Sequence, residues 1–165
     1  MKNKFLKIFF LIFSLFAFVL NASAIVSSEA DINRKIVQLK KLSQYDYNSI
    51  VNKNELIGYR LNNFNMATAQ YKNSANLVVD NFNNIIFQIN TIKNSSDFSD
   101  SDKAIQINKL YQDADAALYN FDSQTLNYLF SLRSIMPSIS YQRYTKKFQE
   151  FYNGIGLTDN KLIVK

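Results

Sequence analysis

The side chains of this chain that could do chemistry are carboxylates, amines, guanidinium groups and hydroxyls, because its 165 residues include no histidine and no cysteine. The Ser–His and Cys–His nucleophile pairs, which rely on an imidazole to take the proton, are therefore excluded. The same gap removes the thiolate and imidazole ligands of a typical zinc site, and the histidines that hold haem or di-iron centres in helical proteins. Paired carboxylates could still serve as the acid and base of glycoside hydrolysis. The acidic residues are scattered, however, and Asp113 and Asp115, two positions apart, diverge on a helix. Asp97, Asp100 and Asp102 cluster, and calcium takes oxygen ligands of that kind. The glycine and glutamate that an EF-hand loop places at its sixth and twelfth positions are missing, so a solvated, capped loop is the expectation. No glycine-rich phosphate loop occurs. The chain is accordingly read as a non-enzyme, with no catalytic residue, no metal site and no cofactor expected.

Two kinds of surface chemistry remain. The stretch YQRYTKKFQEFY, residues 141–152, interleaves rings with cations. On a helix Arg143, Lys146 and Lys147 share a face at steps of three and four, and Tyr141, Tyr144, Phe148 and Phe151 lie on the neighbouring one. An interfacial helix has this pattern. So does a helix docked by its rings with its cations in water, and docking is the expectation. Arg34, Lys35, Lys40 and Lys41 form a second basic patch, read as a solvated face. Phe87 and Phe130 stand at the heptad position farthest from the hydrophobic seams described next. With Arg143, Lys146 and Lys147 they make up the candidate interaction surface.

The elements that must position these residues follow from periodicity. Ile57, Leu61, Phe64, Thr68, Tyr71, Ala75, Val78, Phe82, Ile85, Ile89 and Ile92 alternate steps of four and three without a slip. Ala104, Ile107, Tyr111, Ala114, Leu118, Phe121, Thr125, Tyr128, Leu132 and Ile135 keep the same rhythm. Such seams are the signature of long helices packed at a shallow angle. Ser99 followed by Asp102 fits a capping box at the start of the second. A further helix is expected within 28–52, with a turn in 43–54 favoured over one continuous helix to residue 93; Asn52 and Glu55 offer a cap signal there. Pro137 should end or kink the third helix, and a shorter helix over 138–153 should stop at Asn153-Gly154. Each long helix also has an apolar flank: Leu77, Val79, Ile86 and Phe87 on the first, and Tyr119, Leu126, Leu129 and Phe130 on the second. A third or fourth helix is needed to cover them. The expected fold is all-α: an elongated antiparallel bundle of three to four helices, built on a coiled-coil-like hairpin and spanning 25–156, with 157–165 as a loose tail in which Leu162-Ile163-Val164 could dock.

The first 24 residues have the three parts of a secretory leader. Lys2, Lys4 and Lys7 precede an apolar run from Ile8 to Leu20, which ends in Asn21-Ala22-Ser23-Ala24. The run is shorter than the roughly 20 residues of a spanning helix. The formal charge of +6 loses the leader's three lysines on cleavage, leaving +3. That is no nucleic-acid footprint. The expectation is an exported periplasmic or secreted protein that contacts a protein or envelope partner, with weak attraction to anionic membrane surfaces or self-association as further modes. Binding of a small apolar ligand or lipid within the bundle is the alternative, and a self-associating structural or secretion-apparatus subunit the second alternative. N-terminal sequencing of protein recovered outside the cytoplasm should begin at Ile25, within a residue or two; recovery of a chain still starting at Met1 would refute cleavage.

Overall fold

The computed structural model describes residues 26–51, 55–157 and 162. The leader, Asn52 of the expected cap, and 158–161 and 163–165 of the expected tail lie outside them. Helix accounts for 85% of the described residues and no strand occurs among them, so the fold is an all-α bundle. Its elements are α1 (Glu29–Gln44), a 3-10 turn (Tyr47–Ile50), α2 (Tyr59–Asn94), α3 (Asp100–Ile135) and α4 (Ser138–Ile155).

α2 and α3 have 36 residues each, about 54 Å at the usual rise. They are antiparallel: Thr68 meets Tyr128 and Tyr71 meets Thr125, so numbers rise on one helix as they fall on the other. The break between them is chemical. Ser99 accepts a hydrogen bond from the Asp102 backbone N–H at 3.2 Å and donates its hydroxyl to the Asp102 carboxylate at 2.6 Å, starting α3. Asp100 and Asp102 in its first turn face the positive end of the helix dipole. At the other end Pro137 follows the Met136 cap, and α4 starts one residue later.

α1 lies along α2, while α4 packs on α3 and also touches α1 and the 3-10 turn. The turn expected in 43–54 is therefore present, and it lets α1 fold back on the hairpin. α1 starts at Ser28, whose hydroxyl oxygen accepts from the Asp31 N–H. α2 starts at Gly58, where φ of +57° suits glycine and no side chain caps the helix. The Glu55 carboxylate accepts from Ser140 and Arg143 of α4.

The core runs along both seams through Phe64, Phe82, Ile89, Ala114, Leu118 and Phe121, all buried. The strict 3-4 rhythm overreaches at several positions. Ile57 precedes α2 and is 71% exposed, Ala104 is exposed, and Val79 rather than Val78 is buried. A straight helix drifts by about 20° per heptad against a 3.5-residue repeat, so the buried stripe leaves the ideal seam along a helix this long. The apolar flanks split accordingly. Val79 and Leu129 are buried and Ile86 and Leu126 half-buried, whereas Leu77, Tyr119, Phe87 and Phe130 remain exposed.

Two C-terminal expectations need correction. α4 continues through Gly154 and stops at Gly156, whose left-handed backbone (φ +64°) forms the cap. Leu157, placed at the head of a loose tail, is fully buried, and Leu162 exchanges hydrogen bonds with Asn153.

The seam makes a stability prediction. Phe82→Ala or Leu118→Ala should cost about 2–5 kcal/mol in urea unfolding, as large-to-small core changes do. Phe87→Ala should change it by less than about 0.5 kcal/mol, because its ring stands in water.

Candidate functional site

α4 meets the bundle through its rings. Tyr144, Phe148 and Tyr152 are buried, Tyr141 and Phe151 are half-buried, and Arg143, Lys146 and Lys147 are exposed. The helix is thus docked by its aromatic face. Arg143 is engaged: its guanidinium meets the Glu55 carboxylate at 2.8 Å. Together with Lys147, Ser49 and Ser140 it borders a surface pocket of 160 Å³ beside the 3-10 turn. Lys146 and Lys147 point into solvent. Phe87 is 69% exposed and Phe130 57%. Each occupies the face of its helix opposite the buried one. Because α2 and α3 are antiparallel with Thr68 beside Tyr128 and Tyr71 beside Thr125, the two rings lie far apart along the hairpin and form no common patch.

Inside the bundle lies a polar chain that residue counting does not reveal. The Thr68 hydroxyl bonds the Tyr128 hydroxyl at 3.0 Å, which bonds that of Tyr144 at 2.5 Å; Tyr71 and Thr125 pair at 3.0 Å. The Tyr71 and Tyr128 rings stack in parallel, with centroids 4.4 Å apart. Tyr47 stands edge-on to both and donates its hydroxyl to the Leu42 carbonyl. The seams place these groups: Thr68, Tyr71, Thr125 and Tyr128 hold positions that would otherwise carry aliphatic residues. Burial disfavours each phenolate, so Tyr128 is pushed up to about 12 and Tyr71 and Tyr144 well above the usual value. At neutral pH they are hydroxyls that exchange hydrogen bonds. Above Tyr71 and Tyr128, on the side of the hairpin lined by Gln70, Ser74, Gln124 and Asn127, a surface groove of 240 Å³ opens.

A third group joins α1, α3 and α4. Lys35, expected on a solvated face, is 1% exposed, and its ammonium donates to the Leu157 carbonyl. Gln38, one turn on, donates to the Gly156 carbonyl at 2.9 Å, so α1 caps the C-terminal end of α4 from outside. On α3, Asp122 accepts from the Tyr152 hydroxyl at 2.8 Å and Asp115 from the Val26 N–H at 2.6 Å. Burial pushes the Asp122 carboxyl up to about 6, against the downward pulls of the Tyr152 hydrogen bond and the Lys35 charge. Asp115 is raised by burial as well, opposed by Val26 and Lys35. The sequence signal for Lys35 was its place in the α1 stripe, between Ile32 and Ile36 and four before Leu39. Arg34, Lys40 and Lys41 of the same patch are exposed as expected, and Arg34 pairs with Asp31.

Among the described residues no cluster of three or more acidic side chains is placed to hold a metal ion, and no helix is long and apolar enough to cross a membrane. No family model, no curated protein and no solved structure matches this chain.

The hydroxyl chain is testable by deletion. Tyr128→Phe leaves the buried Thr68 and Tyr144 hydroxyls short of a partner and should cost about 1–3 kcal/mol. Adding Thr68→Val should restore part of that loss, measured as a coupling in a double-mutant cycle of urea unfolding.

Proposed function

We propose that this is an exported, non-enzymatic helical-bundle protein, periplasmic or secreted, that works through protein or cell-envelope contacts made by its helix surfaces. The observation that carries this reading is the outward placement of large rings on two long rigid helices, Phe87 and Phe130, alongside a core whose hydroxyls and charges are engaged with one another. Large exposed rings are the residue type that anchors interfaces. The leader-like first 24 residues supply the exported setting. The inward hydroxyls and carboxylates have no part in substrate chemistry on this reading: they specify the fold.

Contact with anionic lipid is the weaker version, since α4 directs its rings inward and Arg143 is paired. Two experiments separate the versions. Photo-reactive residues at positions 87 and 130, introduced in the cells that produce the protein, should each yield a discrete cross-linked protein, while one at Gln112 of α3 should not. Failure at both ring positions would sink the protein-contact reading. Binding to anionic vesicles should be negligible at low and high salt. Binding that fades with salt and disappears when Arg143, Lys146 and Lys147 are all changed to Gln would instead move the function to a membrane surface.

A further inference from the structure

α1 and α4 are joined to each other, through Lys35 and Gln38 at the carbonyls that end α4 and through the stacked rings of Tyr45 and Phe151. Both therefore lie on one side of the α2–α3 hairpin, and the groove above Tyr71 and Tyr128 opens on the other. Charge is divided unevenly between the two sides. Residues 61–79 of α2 and 114–132 of α3 run beside each other and include three charged side chains, Lys72, Asp115 and Asp122. All three turn to the covered side. The Lys72 ammonium stands 5.6 Å from the centroid of the Tyr47 ring, Asp115 accepts from the Val26 N–H, and Asp122 accepts from the Tyr152 hydroxyl. The open face over the same span has no charge. Gln70, Ser74, Gln124 and Asn127 border its groove, with Ala67 and Ser131 beside them. A solvated surface ordinarily carries charge at roughly a quarter of its positions or more. Depletion of charge marks the core of a protein interface.

We propose that this open face is the contact surface of a homodimer, in which two copies lay their α2–α3 hairpins face to face and form a four-helix core between them. Val26 and Leu162, the described residues nearest the two ends of the chain, are held on the other side by Asp115 and Asn153, which favours a separate molecule as the occupant. The chemistry of the face selects a second copy. A twofold axis brings residues near it against their own counterparts. A lysine or glutamate there would meet its like, whereas an amide both donates and accepts. Gln70, Gln124 and Asn127 can each bond to themselves or to one another across such an axis. The short side chains of Ala67, Ser74 and Ser131 let the helices of two copies approach closely. The size agrees. The charge-free span is about 27 Å long and two helices, about 20 Å, wide, which gives about 540 Å² per copy and about 1,100 Å² in all. A specific contact needs about 1,000 Å². The face is at the small end of that range, so the dimer dissociates at micromolar concentration.

The test is sedimentation equilibrium of the protein purified from the cells that make it, at concentrations from about 1 to about 100 μM, which bracket that affinity. A monomer–dimer equilibrium should appear, and it should change little between low and high salt, because no charge lies in the contact. Gln70 and Gln124 are exposed, so changing either leaves the core alone. Gln70→Glu and Gln124→Glu each set like charges on the two apposed faces and should each weaken the dimer at least about tenfold, with helix content by circular dichroism unchanged. Gln44→Glu, the same change at an exposed position of α1 on the other side of the hairpin, should leave the dimer intact. Phe87→Ala should do the same, since position 87 is beyond the charge-free span; this keeps the dimer distinct from the contacts proposed above for the exposed rings. A chain that stays monomeric throughout, an association that fades with salt, one that survives both Gln70→Glu and Gln124→Glu, or one lost in Gln44→Glu or Phe87→Ala would each overturn the proposal.

Discussion

The arrangement of the molecule depends on the register of α2 against α3, and that register is held by hydroxyl pairs across the seam. A coiled-coil-like hairpin lined only with aliphatic residues could slide by a heptad at modest cost, since one apolar layer replaces another. Here a slide would part Thr68 from Tyr128 and Tyr71 from Thr125. Buried hydroxyls left unpaired cost about 1–3 kcal/mol each, so the misaligned states are raised together. Polar groups at single seam positions set the alignment of coiled coils in the same way, at some expense in stability. The stacked Tyr71 and Tyr128 rings add a geometric condition, because parallel stacking is met at one offset only.

With the hairpin aligned, the other helices have defined places. The third partner in the hydroxyl chain is Tyr144, so α4 docks where its hydroxyl reaches Tyr128. Tyr47 wedges beside the same pair and brings the 3-10 turn with it, which directs α1 back along α2. At the far end of α4, Lys35 and Gln38 of α1 take up carbonyls that the helix terminus leaves unpaired. The small shared core thus ties four helices by directional bonds as well as by apolar burial, in a chain that has no cysteine to staple them.

How much of this could be read from the sequence varied with the physics involved. The long helices, their antiparallel pairing, the Ser99 cap, the stop at Pro137 and the burial of Phe82 and Leu118 all follow from local rules, and the structure has them. The ends of the seams did not follow: a 3.5-residue rhythm and a 3.6-residue helix part company over 36 residues, which leaves Ala104 exposed, and Ile57 falls before α2 begins. Lys35 was misplaced for a different reason. Residue type argued for solvent and helical phase argued for the core, and phase prevailed because Leu157 and two carboxylates were waiting across the interface. Nothing within α1 announces those partners, which lie 80 or more positions away. Of the surface candidates, exposure of Arg143, Lys146, Lys147, Phe87 and Phe130 was legible. The salt bridge of Arg143 to Glu55 and the separation of the two rings required tertiary knowledge.

The absence of histidine bears on the Lys35 cluster in a way that the rest of the surface does not. Histidine is the side chain whose unperturbed titration falls near neutrality, and this chain has none. Apart from a free amino terminus, a protonation change between about pH 5 and 8 in such a chain comes from a group displaced from its ordinary range. Burial lifts carboxylates toward that window and lifts phenols out of reach above it. Asp122 and Asp115 are raised, whereas Tyr47, Tyr71, Tyr128, Tyr144 and Tyr152 move away from neutrality. The same low-polarity core that keeps the tyrosine chain fixed as hydroxyls therefore makes the neighbouring carboxylates responsive.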